Sequence, residues 1–420
     1  MFSSRLPAAL HENAVTRARD RLRTAGTPII DLTETNPTVV GLPYPADLAG
    51  ALASPAALTY SPEPLGLLSA REAVSRDYAR HGAAVPAGRL VLTASTSEAY
   101  SLLFKLLCDA GDVVLIPQPS YPLFEMLSRL DNVKTVPYVL QMHNGWSLDR
   151  ASIEHALSPR TRAVLVVSPN NPTGSILRRD DADWLANACA ARGIAIIADE
   201  VFADYQLRHD KLGSGAVGQL GSAAVEQWGN GAVGQCGSGI AALPHCLIAS
   251  LRSPSVLTFS LGGLSKSAGL PQMKLGWIAV GGPDALVHEA IARLELIADT
   301  YLSVSTPVQV AAPALIDACA SIRAAIQARV ATNLARCRAL VATRPDVTML
   351  EPDAGWCVVL QMPATESEER IVMRLLEEQH VLVHPGYFFD FPNEAFIVLS
   401  LLPPPDVFGE GVTRVLRASA

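Results

Sequence analysis

The sequence predicts an α/β fold: a large domain with a mainly parallel seven-stranded sheet sandwiched by helices, followed by a smaller α+β domain. Three observations predict it. Between residues 89 and 282, short β-rich runs alternate with helical patterns of roughly 10–15 residues. The β-rich runs are almost continuously apolar, as strands buried on both faces are. After residue 283 the alternation gives way to long helical stretches and then to a mixture of short strands and helices.

In order, residues 89–95 (RLVLTAS) read as a strand and 97–111 (SEAYSLLFKLLCDAG) as a helix ending at glycine. Residues 113–119 form a strand, with a helix over about 121–130. Then come a strand at 134–140, a helix at 149–157 and the apolar strand 163–169 (AVLVVSP). A helix over 178–193 precedes the strand 195–201 (AIIADEV). Runs 255–261 and 276–282 complete the seven strands. Residues 284–344 read as helical, interrupted near Thr306-Pro307. Strand-like runs at 347–352, 355–363, 381–386 and 395–402 surround a helix over 368–380, and a terminal helix follows. The expected division is an N-terminal arm at 1–45 contributing to the small domain, a large domain at 46–305 and a small domain at 306–420. Within the large domain, residues 215–238 hold three copies of an eight-residue Gly-rich unit. Solenoid repeats are longer and more numerous, so a flexible insertion at about 210–245 is expected.

Composition limits the functional classes. Hydrophobic residues make up 49% of the 420 and charged residues 17%, which supports a large packed core rather than disorder. The net charge of −7, with no basic block, argues against a nucleic-acid partner. Seven cysteines are scattered with no C-x-x-C pair, which excludes a disulfide framework or zinc site and suggests buried free thiols. No metal site is expected. No apolar run reaches about 18 residues, and the N-terminus lacks the apolar core of a signal peptide, so the expected location is the cytoplasm, away from membranes.

Six segments carry chemistry. In SLGGLSKSAGLPQMKLGW (260–277), Lys266 follows an apolar strand among small residues; a lysine shielded from water loses its proton and attacks aldehydes. In ADEVFADY (198–205), Asp199 ends a buried parallel strand, the edge of such sheets where ligands bind. TASTSEAY (93–100) is a small-residue turn opening a helix, with free N–H groups and a positive dipole end for an anion. SPNNPTG (168–174) is a polar turn after a strand, PQPSYPLF (117–124) holds Tyr121, and TYSPEPLG (59–66) holds Tyr60.

Together and in this order, the segments resemble the fold-type I pyridoxal-phosphate-dependent aminotransferases of class I/II, over about residues 28–415. The resemblance implies an aspartate-aminotransferase-like fold and pyridoxal 5'-phosphate bound as a Schiff base on Lys266. It implies that Asp199 pairs with the protonated ring nitrogen and makes the ring an electron sink. Asn171 would donate to the phenolic oxygen and Tyr121 would stack on the ring. Ser95, Thr96, Ser97 and Lys274 would hold the phosphate, Ser265 would belong to the cofactor site beside Lys266, and Tyr60 would reach the phosphate across a homodimer. The implied partners are small amino and keto substrates.

The chain departs from the family pattern at four positions. Phe202 stands where a tyrosine often donates to the phenolic oxygen, Gly263 where a serine is frequent, and Lys274 where an arginine is usual. Near the C-terminus, FIVLS (396–400) places Val398 where an arginine clamps the substrate α-carboxylate. Asn36, Trp356, His384 and Tyr387 are the substitutes expected to contact substrate. Transamination is the leading expectation. A decarboxylase, lyase or oxidase using the same cofactor is the alternative, and a catalytically inactive binding protein is a third reading.

Overall fold

The computed structural model describes residues 2–7, 12–143, 145–207, 255–393 and 395–418. The Gly-rich repeat of 215–238 lies outside the described residues.

Helix α1 (Ala14–Thr24) is capped by Asn13, whose side chain accepts from the Thr16 N–H. It leads to β1 (Ile30–Asp31). The central sheet contains β2 (Leu90–Thr93), β3 (Val113–Gln118), β4 (Lys134–Met142), β5 (Trp146–Leu148), β6 (Thr161–Val167), β7 (Ala195–Asp199), β8 (Thr258–Gly263) and β9 (Gly276–Gly281). Their order is β2-β9-β8-β7-β6-β3-β4-β5. Strands β8, β7, β6, β3 and β4 run parallel, and β9 lies antiparallel between β2 and β8.

The sheet therefore has eight strands, not the expected seven. The extra one is β5, whose three residues fold back antiparallel on the end of β4. Three residues are too few to show a period of two.

Both faces of the sheet are covered, which explains the continuous apolar runs. Val164, Val166, Ile196 and Ala198 pack with Leu185 and Ala186 of α6 (Arg179–Ala190). The alternate residues Ala163, Leu165, Ala195 and Ile197 pack with Leu102 and Leu103 of α3 (Thr96–Leu107) and Leu294 of α8 (Asp284–Asp299). Successive side chains on one strand thus enter opposite cores.

The smaller part is built on an antiparallel sheet of four strands, β10 (Thr348–Leu350), β11 (Cys357–Gln361), β14 (Phe396–Ser400) and β13 (His384–Pro385), in that order. Helices α10 (Glu368–Gln379) and α11 (Pro405–Ala418) cover it. The N-terminal segment joins this region: β1 pairs parallel with β12 (Val381–Leu382), and the Ser400 N–H donates to Leu32 O at 2.7 Å.

The expected helix break near Thr306 is real. Helix α9 (Thr306–Val341) starts there, with Pro307 in its first turn, where a missing N–H costs nothing. By length and composition alone α9 could cross a membrane. Its buried residues Leu315, Cys319, Ile322, Ile326, Val330, Leu334 and Cys337 recur every three or four positions, the single stripe of a helix packed on a protein core.

Candidate active site

The functional side chains converge on one cavity of about 280 Å³ at the C-terminal ends of β6 and β7. Lys266, Asp199, Asn171, Tyr121, Ser95, Thr96, Ser97, Ser265, Lys274 and Trp356 all line it.

Lys266 sits on the one-turn helix α7 (Leu264–Ser267) directly after β8. Its backbone is tied down from two sides. The Tyr205 hydroxyl donates to Lys266 O at 2.8 Å and to Ser267 O at 3.1 Å, and Arg323 Nε donates to Ser267 O at 2.9 Å. Gly263 stands close to the neighbouring strand: a Cβ there would lie 3.1 Å from Leu275 O and 3.2 Å from Gly276 Cα, a tight fit. The ammonium nitrogen is 5.2 Å from the Trp356 ring centre and 5.8 Å from that of Phe202. Burial lowers the Lys266 pKa from the ordinary lysine value, with Cys357 and Asp199 opposing, so the amine is biased toward its neutral, nucleophilic form.

Arg323 belongs to an ion network behind this segment. Its guanidinium meets Asp77 at 3.0 Å and Asp204 at 3.6 Å, while Arg80 bridges the same two carboxylates at 2.8 and 2.9 Å. Burial alone would raise the Asp204 carboxyl; His81, Arg323 and Arg80 bring it down to about 2. Arg323→Met leaves both carboxylates with Arg80, and Asp204 with His81 as well, so it should cost about 1–3 kcal/mol of stability from the charged hydrogen bonds it loses. Breaking the exposed Arg293–Glu289 pair should cost at most about 1 kcal/mol. Urea unfolding of the two variants checks this; equal, small losses would count against the network as the anchor of Lys266.

Asp199 ends β7 and is 8% exposed. One of its oxygens accepts from the Tyr100 hydroxyl at 2.8 Å and the other from the Val201 N–H at 3.2 Å. Burial raises its pKa; those two hydrogen bonds and Lys266 pull in the opposite direction.

The two asparagines of SPNNPTG divide the labour. Asn170 is buried and builds the loop, donating to Pro119 O and Thr173 Oγ1 and accepting from Ser120 Oγ. Asn171 is left to face the cavity, and its Oδ1 accepts from Cys357 Sγ at 3.6 Å. Gly174 closes the turn at φ +68°, and its carbonyl accepts from the Asp353 and Ala354 N–H groups, docking the turn beside Trp356.

At the other end, α3 opens with a reciprocal cap. Ser95 Oγ accepts from the Glu98 N–H at 3.2 Å, and the Glu98 carboxylate accepts from the Ala94 N–H at 2.6 Å. This aims the helix N-terminus at the cavity, where an anion is favoured. Lys274 adds a cation from a left-handed backbone position, φ +49°.

The remaining expected residues lie elsewhere. Asn36 is exposed and its side chain caps Thr38; its neighbour Thr35 lines the cavity instead. His384 pairs with Val398 in the small sheet beside Phe388 and Phe389, and Tyr387 is 44% exposed on the following turn; neither lines the cavity. Tyr60 is 74% exposed, in a separate shallow groove with Tyr301 and Gln309. Val398 is 1% exposed within an apolar cluster, paired with Val359. Sequence reasoning missed Tyr100 and Cys357, which line the cavity beside Asp199 and Asn171.

The donor set fits pyridoxal phosphate: a shielded amine, a buried carboxylate, a helix N-terminus with an added cation, and aromatic walls. The family profile described as aminotransferase class I and II matches residues 47–403. The chain belongs to that family. As a class I and II aminotransferase it is an enzyme that uses pyridoxal phosphate to transfer amino groups. It is 25% identical to a glutamate-pyruvate aminotransferase of Haemophilus influenzae, over 94% of this chain and 92% of that protein. It is 26% identical to an alanine aminotransferase of Mycobacterium bovis, over 96% and 88%. An aminotransferase from Escherichia coli has the same fold, with a TM-score of 0.81 at 23% identity, over 99% of this chain and 97% of that one. The alanine aminotransferase from Pyrococcus furiosus superposes equally well, with 0.81 at 22% identity and 99% of both chains covered.

Proposed function

We propose that this aminotransferase holds pyridoxal phosphate covalently on Lys266 and moves an amino group from an amino acid or amine to a 2-keto acid, without the usual guanidinium clamp on the substrate carboxylate. Val398 carries the second half of this reading: it is sealed in the small sheet, and no arginine lines the cavity among the described residues.

When bound, the cofactor supplies an aldehyde that captures amines and a ring that draws electrons from the substrate carbon. Lys266, released by the incoming amine, takes the proton from the substrate α-carbon and returns it. Asp199 holds positive charge on the ring nitrogen. Asn171 donates to the phenolic oxygen, and Tyr121 covers the ring. Ser95, Thr96, Ser97 and Lys274 hold the phosphate, with Ser265 beside Lys266 in the same cavity. Phe202 and Trp356 form an apolar wall that keeps water from Lys266. The enzyme acts as a homodimer in which Tyr60 serves the neighbouring site; its exposure, with that of Leu58 and Tyr301, supports this. Free thiols among the described residues suit the cytoplasm.

The names of the relatives make glutamate, alanine and pyruvate the first substrates to try, beside amines lacking the carboxylate. Mixing the enzyme with a stoichiometric amino donor and no acceptor tests the reaction. One equivalent of keto product should form, with the cofactor left in its amino form until a keto acid is added. Repeated turnover without an acceptor, with the original absorption restored, would replace transamination by an oxidase or lyase reaction.

A further inference from the structure

We infer that Tyr100 is a positioning residue for the cofactor: its phenol holds Asp199 as an oriented anion toward the ring nitrogen. This rests on the reading of Asp199 as the partner of that nitrogen.

The geometry is specific. Tyr100 and Asp199 are 2% and 8% exposed, lie 99 positions apart in sequence and meet at 2.8 Å. Both line the cavity. The buried Tyr100 ring is held in place by Phe124, packed edge-on at 5.3 Å, and by Phe104, tilted at 6.2 Å. The Val201 N–H holds the second carboxylate oxygen. Asp199 is thus gripped from α3 on one side and from its own following loop on the other. A carboxylate offers about four lone-pair directions. Two are taken by fixed donors, which leaves the others for a ligand in the cavity.

The chemistry gives the grip a purpose. A buried carboxylate tends to take up a proton, and a neutral carboxyl facing a pyridine does not keep that ring charged. Burial does raise Asp199, and the phenol opposes it by donating to the anionic form. Burial also raises the Tyr100 hydroxyl, aided by Asp199, so it remains a donor and never an anion beside the carboxylate. The other titratable group acting on Asp199 is Lys266 from α7. One helix, α3, therefore offers its N-terminus to an anion and, about one turn later, the phenol that sets the state of the carboxylate.

The test compares holoenzyme with Tyr100→Phe and with fluorinated tyrosines placed at position 100, whose phenols are progressively stronger donors of nearly unchanged size. Two readouts are taken: the affinity of apoenzyme for pyridoxal phosphate, and the ¹⁵N NMR shift of ring-labelled bound cofactor. Tyr100→Phe should weaken binding about tenfold and move the ring nitrogen toward its unprotonated shift. The fluorinated series should move it progressively the other way. A ring-nitrogen shift indifferent to the fluorinated series would overturn the inference, even if Tyr100→Phe proved unstable. Asp199→Asn run in parallel separates the two readings. If it leaves the ring nitrogen unchanged, Asp199 is not its partner. If it changes the signal while the tyrosine series does not, Asp199 keeps its role and Tyr100 loses the one assigned here.

Discussion

Lys266→Ala should lower amino transfer on the order of 10⁴-fold and abolish covalent retention of the cofactor. Among the described residues, the other lysine that lines the cavity is Lys274, and it is exposed rather than shielded. Borohydride reduction followed by peptide mapping checks the assignment directly. The cofactor should be found on Lys266 in the wild type and on no lysine of the variant. The pH dependence follows from burial. Because the Lys266 pKa is lowered, a larger fraction of the amine is neutral at any given pH than for a free lysine. Cofactor capture by the apoenzyme should therefore rise with pH and level off with a midpoint below the ordinary lysine value. A midpoint at or above that value would mean that the amine is not shielded as the cavity walls imply.

Asp199 carries the second large effect, and two substitutions separate chemistry from stability. Asp199→Asn keeps the volume and removes the charge, but its single oxygen can accept from only one of the Tyr100 hydroxyl and the Val201 N–H. Turnover should fall by roughly 10²–10³-fold, with a modest loss of thermal stability. Asp199→Ala should lose similar activity and also leave the Tyr100 hydroxyl and the Val201 N–H without acceptors in a buried site. Each stranded donor costs about 1–3 kcal/mol, so the alanine variant, which strands two, should melt earlier than the asparagine variant, which strands one. An asparagine variant with near wild-type turnover would remove Asp199 from the mechanism.

Much of this was legible in the chain itself. The seven long strands and their helices follow from local periodicity, and β6 and β7 read as buried because both of their faces are apolar. The residues that line the cavity were legible because most sit at a strand end or helix start, where a short motif marks the place. What escaped was long-range. Tyr100 lies inside the quoted segment 93–100 but reads as one more apolar position of an amphipathic helix; nothing local says that a carboxylate 99 residues later will meet its hydroxyl. Cys357 reads as one scattered thiol among seven. It is buried as expected, with its pKa pushed up to about 12 by that burial, yet it lies against Asn171 rather than in an inert core. Asn36, His384 and Tyr387 are polar groups that could stand in for the arginine missing at Val398, yet none of them lines the cavity. Their positions depend on how the N-terminal segment and the small sheet close on the large one, which no spacing encodes. The Val398 difference was legible as a missing arginine. Its burial, with β-sheet neighbours on both sides, was not.

The closeness of Trp356 to Lys266 has an optical consequence. An indole 5.2 Å from the amine lies well within the range of excited-state energy transfer to a cofactor absorbing near the indole's own emission. Its fluorescence should be extinguished in the loaded enzyme and return when the cofactor leaves. The protein thus carries its own emission gauge of occupancy, placed at the reacting centre by the same wall that keeps it dry.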